Sequence, residues 1–214
     1  MITAVLFDLD DTLSDANSFA VHQLVRAVAM HGYALDADEL LQYVGPRYVP
    51  LLQELLGVPL EVADAIYATY VQRYREQMPG NLQEIDGASE LLIELDRRKF
   101  VLGIVTNKLE GLAREIVSQF AWDGFISVVI GQDTCEFAKP HPGIVRHAVE
   151  VIDVPLDQTA FVGDSVQDMR CASGAGLPIV IGLRGTTSDA ELIEAGATHL
   201  CSGLNEVLSI VTAG

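Results

Sequence analysis

The stretch Ala4-Val5-Leu6-Phe7-Asp8-Leu9-Asp10-Asp11-Thr12-Leu13 decides the reading of the chain, because an apolar run gives way to three carboxylates and a hydroxyl within five residues. Val5, Leu6 and Phe7 suit a strand buried on both faces of a parallel sheet, and such a strand has no use for acid until it ends. Asp8 and Asp10 stand two apart, so on an extended backbone they point the same way. Crowded carboxylates repel and raise each other's pKa, a conflict that a hard divalent cation with oxygen ligands resolves. A carboxylate held in this way is also a nucleophile that phosphoryl chemistry uses through an aspartyl-phosphate. A solvated acidic turn after a strand is the simpler reading of the same residues, and this stretch alone does not separate the two.

Beyond Leu13 the pattern is helical to about residue 80, with helices expected over 17–31, 36–44, 47–56 and 60–77. Gly32, Gly45-Pro46, Gly57-Val58-Pro59 and Pro79-Gly80 punctuate them. Nothing in this block reads as a strand, so it is expected to be a helical insert with its own small core. From Asp86 onward strands and helices alternate, the pattern of a parallel sheet crossed by helices. Strands are expected over 100–105, 125–130, 159–162, 178–182 and 198–201, and helices over 88–98, 109–120, 142–151, 166–175 and 189–195. The expected fold class is α/β: a Rossmann-like parallel sheet core of residues 1–14 and 86–214, interrupted by an α-helical domain over 15–85.

With 214 residues, 50% of them hydrophobic and 20% charged, the chain is ordinary globular material, enough for a core domain and a smaller second one. A net charge of -17 argues against nucleic acid as a partner, whose phosphates would meet a repulsive field. It does not exclude a small phosphorylated substrate, since a metal and one or two placed cations reverse the potential locally. Cys135, Cys171 and Cys201 are scattered and odd in number, which fits reduced thiols filling a core. No apolar run approaches the roughly 20 residues of a membrane span, and no basic region precedes the first strand, so no membrane partner and a cytoplasmic location are expected.

Three expected strands end in polar residues, and ligands of parallel sheets bind outside the carboxyl ends of strands. The first brings Asp8 and Asp10, the strand over 100–105 brings Thr106-Asn107, and the strand over 159–162 brings Gly163-Asp164-Ser165-Val166-Gln167-Asp168. Between them, Ala138-Lys139-Pro140-His141-Pro142 sets a lysine just before a helix. A metal, a nucleophile, a hydroxyl and a fixed cation are what phosphoryl transfer asks for.

Taken in order, Asp8-Leu9-Asp10-Asp11-Thr12-Leu13, Val105-Thr106-Asn107, Lys139-Pro140, and Gly163-Asp164-Ser165 with Asp168 resemble the four motifs of the haloacid dehalogenase superfamily. The resemblance spans nearly the whole chain and is to phosphatases with a helical cap of the C1 type, most of all phosphoglycolate phosphatases. It implies that Asp8 is the nucleophile and Asp10 the general acid that then activates water. It places Mg²⁺ between the Asp8 carboxylate, the Asp10 backbone carbonyl and Asp164, with Asp168 supporting that site from behind or, on the plainer reading, a surface helix acid. Thr106, Asn107 and Lys139 would bind the phosphoryl group; for Thr106 the rival role is a helix N-cap. Arg47 is the cap residue suited to hold a second anionic group of the substrate, or else a solvent-facing arginine at a helix start. His22 is expected on a helix surface or in packing, and His141 in loop structure.

Asp11 departs from the superfamily pattern, which has glycine there, though aspartate tolerates unusual backbone geometry better than most residues. A carboxylate at Asp10 excludes the dehalogenases themselves. The expected activity is Mg²⁺-dependent hydrolysis of a small phosphorylated metabolite by a monomer or homodimer. The alternatives are a sugar-phosphate mutase of the β-phosphoglucomutase kind, a pyrophosphatase-type member, and a silent binding or regulatory protein. Thr12, where such mutases usually carry an aliphatic residue, favours the phosphatase.

Overall fold

The computed structural model describes residues 1–41, 43 and 47–213. β1 (Ala4–Phe7) is buried along its whole length, as an Ala-Val-Leu-Phe run demands of a strand covered on both faces. The chain leaves it through a tight turn in which the Leu13 and Ser14 N–H groups donate to the Leu9 carbonyl and the Asp11 N–H donates to the Ser14 carbonyl. Asp11 sits at a φ of 59°, so the left-handed position that glycine would fill is kept by aspartate.

After β2 (Ser14–Asp15) come α1 (Asn17–Met30), α2 (Ala37–Leu41), α3 (Tyr48–Leu56) and α4 (Leu60–Gln77), then β3 (Gln83–Glu84). The remainder alternates: α5 (Ala88–Arg97), β4 (Val101–Val105), α6 (Glu110–Gln119), β5 (Ile126–Ile130), α7 (Gly143–Ile152), β6 (Thr159–Gly163), α8 (Val166–Ala175), β7 (Ile179–Leu183), α9 (Asp189–Glu194), β8 (His199–Cys201) and α10 (Val207–Thr212). Residues 42 and 44, where the helix expected over 36–44 would end, and the Gly45-Pro46 break lie outside the described residues. α10 and the two-residue strands β2 and β3 were not expected from the sequence, being too short to show a period.

The chain folds as two compact units, Met1–Ser14 with Glu84–Gly214, and Asp15–Gln83. The chain passes between them in β2 and β3, which pair as a two-stranded sheet. The helical unit has its own core, in which Leu24, Leu52, Ile66, Tyr70 and Tyr74 are buried. Edge-to-face ring contacts join Phe19 to Tyr74 and Tyr48 to Tyr70.

The larger unit is α/β and Rossmann-like, a six-stranded sheet in the order β5-β4-β1-β6-β7-β8. Its strands run parallel, with Phe7 in register with Ile104 on one side and Val162 on the other. After β1 the chain goes to β4 and β5 and then crosses back to β6, so the strand order reverses at β1. The carboxyl ends of β1, β4 and β6 therefore meet at a topological switch point, where parallel sheets form their ligand crevice.

Candidate active site

The register brings Asp8, Val105 and Gly163 level, so the residues that follow each strand converge. Asp8 is the first residue beyond β1 and its N–H donates to the Val162 carbonyl at 2.9 Å. Asp164 follows β6, and its Oδ1 accepts the Thr12 hydroxyl at 3.1 Å. One turn on, Asp168 closes the start of α8: its N–H donates to Ser165 Oγ, while its Oδ2 accepts both the Ser165 hydroxyl and the Ser165 N–H. Gly163 is obligatory here, because an added Cβ would lie 2.6 Å from Asp168 Cγ.

Lys139 is almost wholly buried, and its Nζ lies 2.7 Å from Asp8 Oδ1 and 2.7 Å from Asp168 Oδ1. A buried ammonium persists only with such partners. Its backbone is clamped by Asn107, whose Oδ1 accepts the Lys139 N–H at 2.9 Å and whose Nδ2 donates to the Lys139 carbonyl at 3.1 Å. Asn107 Nδ2 also donates to Gln167 Oε1 at 3.0 Å, tying in α8. Thr106 is buried and its Oγ1 accepts the Lys108 N–H at 3.1 Å, which leaves the hydroxyl proton free to be donated. Lys108 Nζ lies 3.0 Å from Asp10 Oδ2.

A family model described as haloacid dehalogenase-like hydrolase matches residues 5–181. The chain belongs to that family. It is 35% identical over 214 residues to a phosphoglycolate phosphatase of Rhodobacter capsulatus, covering 95% of each chain. It is 31% identical over 177 residues to a Caldanaerobacter subterraneus protein with a pyrophosphatase name, covering 82% of this chain and 79% of that one. Its fold matches a haloacid dehalogenase-like hydrolase from Bacteroides fragilis at a TM-score of 0.88 and 21% identity, over 97% of this chain and 100% of the other.

In this member of the family two of the crowded carboxyls, Asp8 and Asp164, hold protons unusually tightly. Burial pushes the Asp8 carboxyl well above the usual range, and the Asp168 carboxylate adds to the effect against the pull of Lys139. Burial, then the Asp168 and Asp11 carboxylates, push Asp164 up to about 7, although Lys139 and the Thr12 hydroxyl work against this. Burial opposes the charge on Lys139, but Asp168 and Asp8 outweigh it and raise its pKa. Oxygens of Asp8, Asp164 and Asp168 lie within 4.8 Å of one another, and all three residues are buried. A buried cluster of hard oxygen donors, two of which, Asp8 and Asp164, are pushed by burial to resist ionisation, fits a divalent cation of the Mg²⁺ kind. Within the cluster Asp168 has both oxygens committed to Lys139 and Ser165, which leaves Asp8 and Asp164 to face an ion.

The side-chain amide of Asn107, expected at the phosphoryl group, bonds to the Lys139 backbone and to Gln167 and so fixes the lysine. The N-cap rival for Thr106 does not hold, because α6 starts at Glu110 with Leu109 in the cap position. Arg47 precedes α3 in the helical unit and is exposed. His22 is exposed with Nδ1 2.7 Å from the Ser18 carbonyl, and His141 stacks on Phe137 at 4.4 Å while its Nδ1 accepts the Gly143 N–H. Lys108 was overlooked: in sequence it is a lone lysine at a helix start, and only the fold shows it buried against Asp10.

Proposed function

We propose that this phosphatase of the haloacid dehalogenase-like family hydrolyses a small phosphorylated metabolite of the phosphoglycolate kind, with Mg²⁺ and through a phosphorylated Asp8. The observation that carries the reading is the placement of Asp8 at a buried strand end, with Lys139 at 2.7 Å and Asp164 beside it. Asp8 attacks phosphorus while Lys139 and the Thr106 hydroxyl hold the phosphoryl oxygens, so that developing charge meets donors already in place. Asp10 gives its proton to the leaving oxygen and then takes one from the water that cleaves the acyl phosphate. Mg²⁺, held by Asp8, Asp164 and the Asp10 backbone carbonyl, would supply neutralising charge at the phosphoryl oxygens. Asp168 keeps Lys139 charged and aimed.

Names borne by relatives in the family support phosphoglycolate as the first substrate to try and pyrophosphate as the second. The test measures phosphate release with Mg²⁺ from phosphoglycolate, pyrophosphate and β-glucose 1-phosphate, for the wild type and for Asp8→Asn. Turnover by the wild type should favour phosphoglycolate and should fall at least about 1000-fold in the variant, which keeps the shape of the side chain but not the nucleophile. Turnover of Asp8→Asn near the wild-type rate would refute the covalent route, and conversion of the sugar phosphate without phosphate release would make the enzyme a mutase.

A further inference from the structure

The structure contains a second buried lysine, Lys108, that none of the four motifs accounts for. Its side chain is only 5% exposed, and its Nζ lies 3.0 Å from Asp10 Oδ2. Lysines normally extend their ammonium into water, so one held inside is there for its partner. The other oxygen of that carboxylate, Asp10 Oδ1, is buried and has no hydrogen-bond partner among the described residues. An unpartnered buried carboxylate oxygen is costly in a resting protein, and it is what a proton donor and acceptor must present to a substrate.

The backbone that carries Lys108 is fixed from several sides. Its N–H donates to Thr106 Oγ1 at 3.1 Å and its carbonyl accepts the Gln132 N–H at 3.1 Å. Gly131, just beyond β5, lies so close that an added Cβ would sit 2.7 Å from the Lys108 carbonyl oxygen and collide with the Glu110 nitrogen. The Glu110 N–H donates to Asp133 Oδ1 at 2.8 Å, and the Thr134 hydroxyl donates to Glu110 Oε2 at 3.1 Å. The loop after β5 thus acts as a mould for the loop after β4, and what the mould delivers is the Lys108 ammonium.

We propose that Lys108 is the positioning residue for Asp10: it grips Oδ2 and thereby sets the carboxylate plane so that Oδ1 faces the leaving oxygen and later the attacking water. The inference rests on the reading of Asp10 as general acid and base. The two lysines then divide the acid pair, Lys139 holding Asp8 and Lys108 holding Asp10.

Leaving groups test the idea. Formation of phosphorylated Asp8 from phosphoglycolate expels a poor alkoxide that needs a proton, whereas p-nitrophenyl phosphate expels a stable phenolate that does not. First-turnover rates by rapid quench should fall about 100-fold for phosphoglycolate in Lys108→Met, the scale of a misplaced catalytic group, and by less than about 3-fold for the nitrophenyl ester. Lys108→Arg should recover part of the loss. Adding Lys108→Met to Asp10→Asn should cost nothing more, since both changes remove one function. Equal losses on the two esters, or additive losses in the double variant, would overturn the proposal. If Asp10→Asn itself slows both esters equally, the general-acid reading fails and takes this inference with it; if only Lys108→Met lacks the contrast, the failure belongs to Lys108 alone. Should Lys108→Met not fold, as judged by circular dichroism, Lys108→Gln and Lys108→Arg carry the same comparison.

Discussion

Replacing Asp164 with asparagine is expected to stabilise the metal-free protein at pH 8, by an amount that shrinks as the pH is lowered towards 4. In the folded chain burial and the neighbouring Asp168 and Asp11 carboxylates push Asp164 up to about 7, whereas in an unfolded chain an aspartate titrates near 4. Between those values the unfolded chain has lost its proton and the folded one keeps it, so stability falls as the pH rises through that window. Above pH 7 the whole penalty is present. Roughly three pH units at about 1.4 kcal/mol each give about 4 kcal/mol as its ceiling. Asparagine carries no charge but still buries an amide, whose partial desolvation returns about 1–3 kcal/mol. Its carbonyl can still accept the Thr12 hydroxyl, so the lower end of that cost applies and a net gain of about 1–3 kcal/mol remains.

For a chain of this length that gain corresponds to a Tm higher by about 2–12 °C. The assay is thermal unfolding of both proteins in chelator at several pH values between 4 and 8.5. Millimolar Mg²⁺ should offset most or all of that gain, since an ion that binds only the folded wild type at about 100 times its Kd adds about 2.7 kcal/mol. A wild type no less stable than Asp164→Asn in chelator at pH 8, or a difference that ignores pH, would refute the electrostatic account of this site.

The remaining expectations probe its other parts. Gly163→Ala should cost about 1–3 kcal/mol in denaturant melts and most of the activity, because a Cβ at 2.6 Å from Asp168 Cγ must displace the carboxylate that holds Lys139; a silent substitution would show that the Asp168 contact is dispensable. Chelation should abolish phosphate release, and Ca²⁺, which prefers more ligands at longer distances, should fail to restore it. Arg47→Ala should raise KM for phosphoglycolate at least about tenfold and leave p-nitrophenyl phosphate nearly unchanged if the guanidinium holds the second anionic group; equal effects on both would give Arg47 a structural role.

Asp8 and Asp164 were legible in the sequence because a buried parallel strand announces itself by its apolar run, and acid directly after such a run marks its carboxyl end. The left-handed turn at Asp11 was legible for a similar reason, since residue type and local geometry are tied within a few positions. The placements of Asn107 and Lys108 were not. Asn107 bonds to the backbone of Lys139, 32 residues away, and the backbone of Lys108 is fixed by the loop after β5. Partnerships across that distance leave no trace in spacing, and a single lysine near a helix start has the look of a solvated side chain until the neighbouring loop is in place.

The same geometry resolves the tension between a chain of net charge -17 and an anionic substrate. Asp8, Asp10, Asp164 and Asp168, if all ionised, bring four negative charges to one strand edge, and Lys108 and Lys139 return two positive ones. A divalent cation brings that sum to zero, so a phosphate group arriving afterwards meets no net repulsion from the groups that touch it. Without the cation the Asp164 carboxyl keeps its proton up to about pH 7, chiefly because it is buried and secondly because the Asp168 and Asp11 carboxylates stand near it. Protons and metal thus compete for the same carboxylates, and inorganic phosphate at pH 8 should bind at least about tenfold more weakly in chelator than with Mg²⁺, as isothermal calorimetry would measure. Equal affinity in the two conditions would mean that Lys108 and Lys139 suffice to hold the anion and that the carboxylates stay protonated around it.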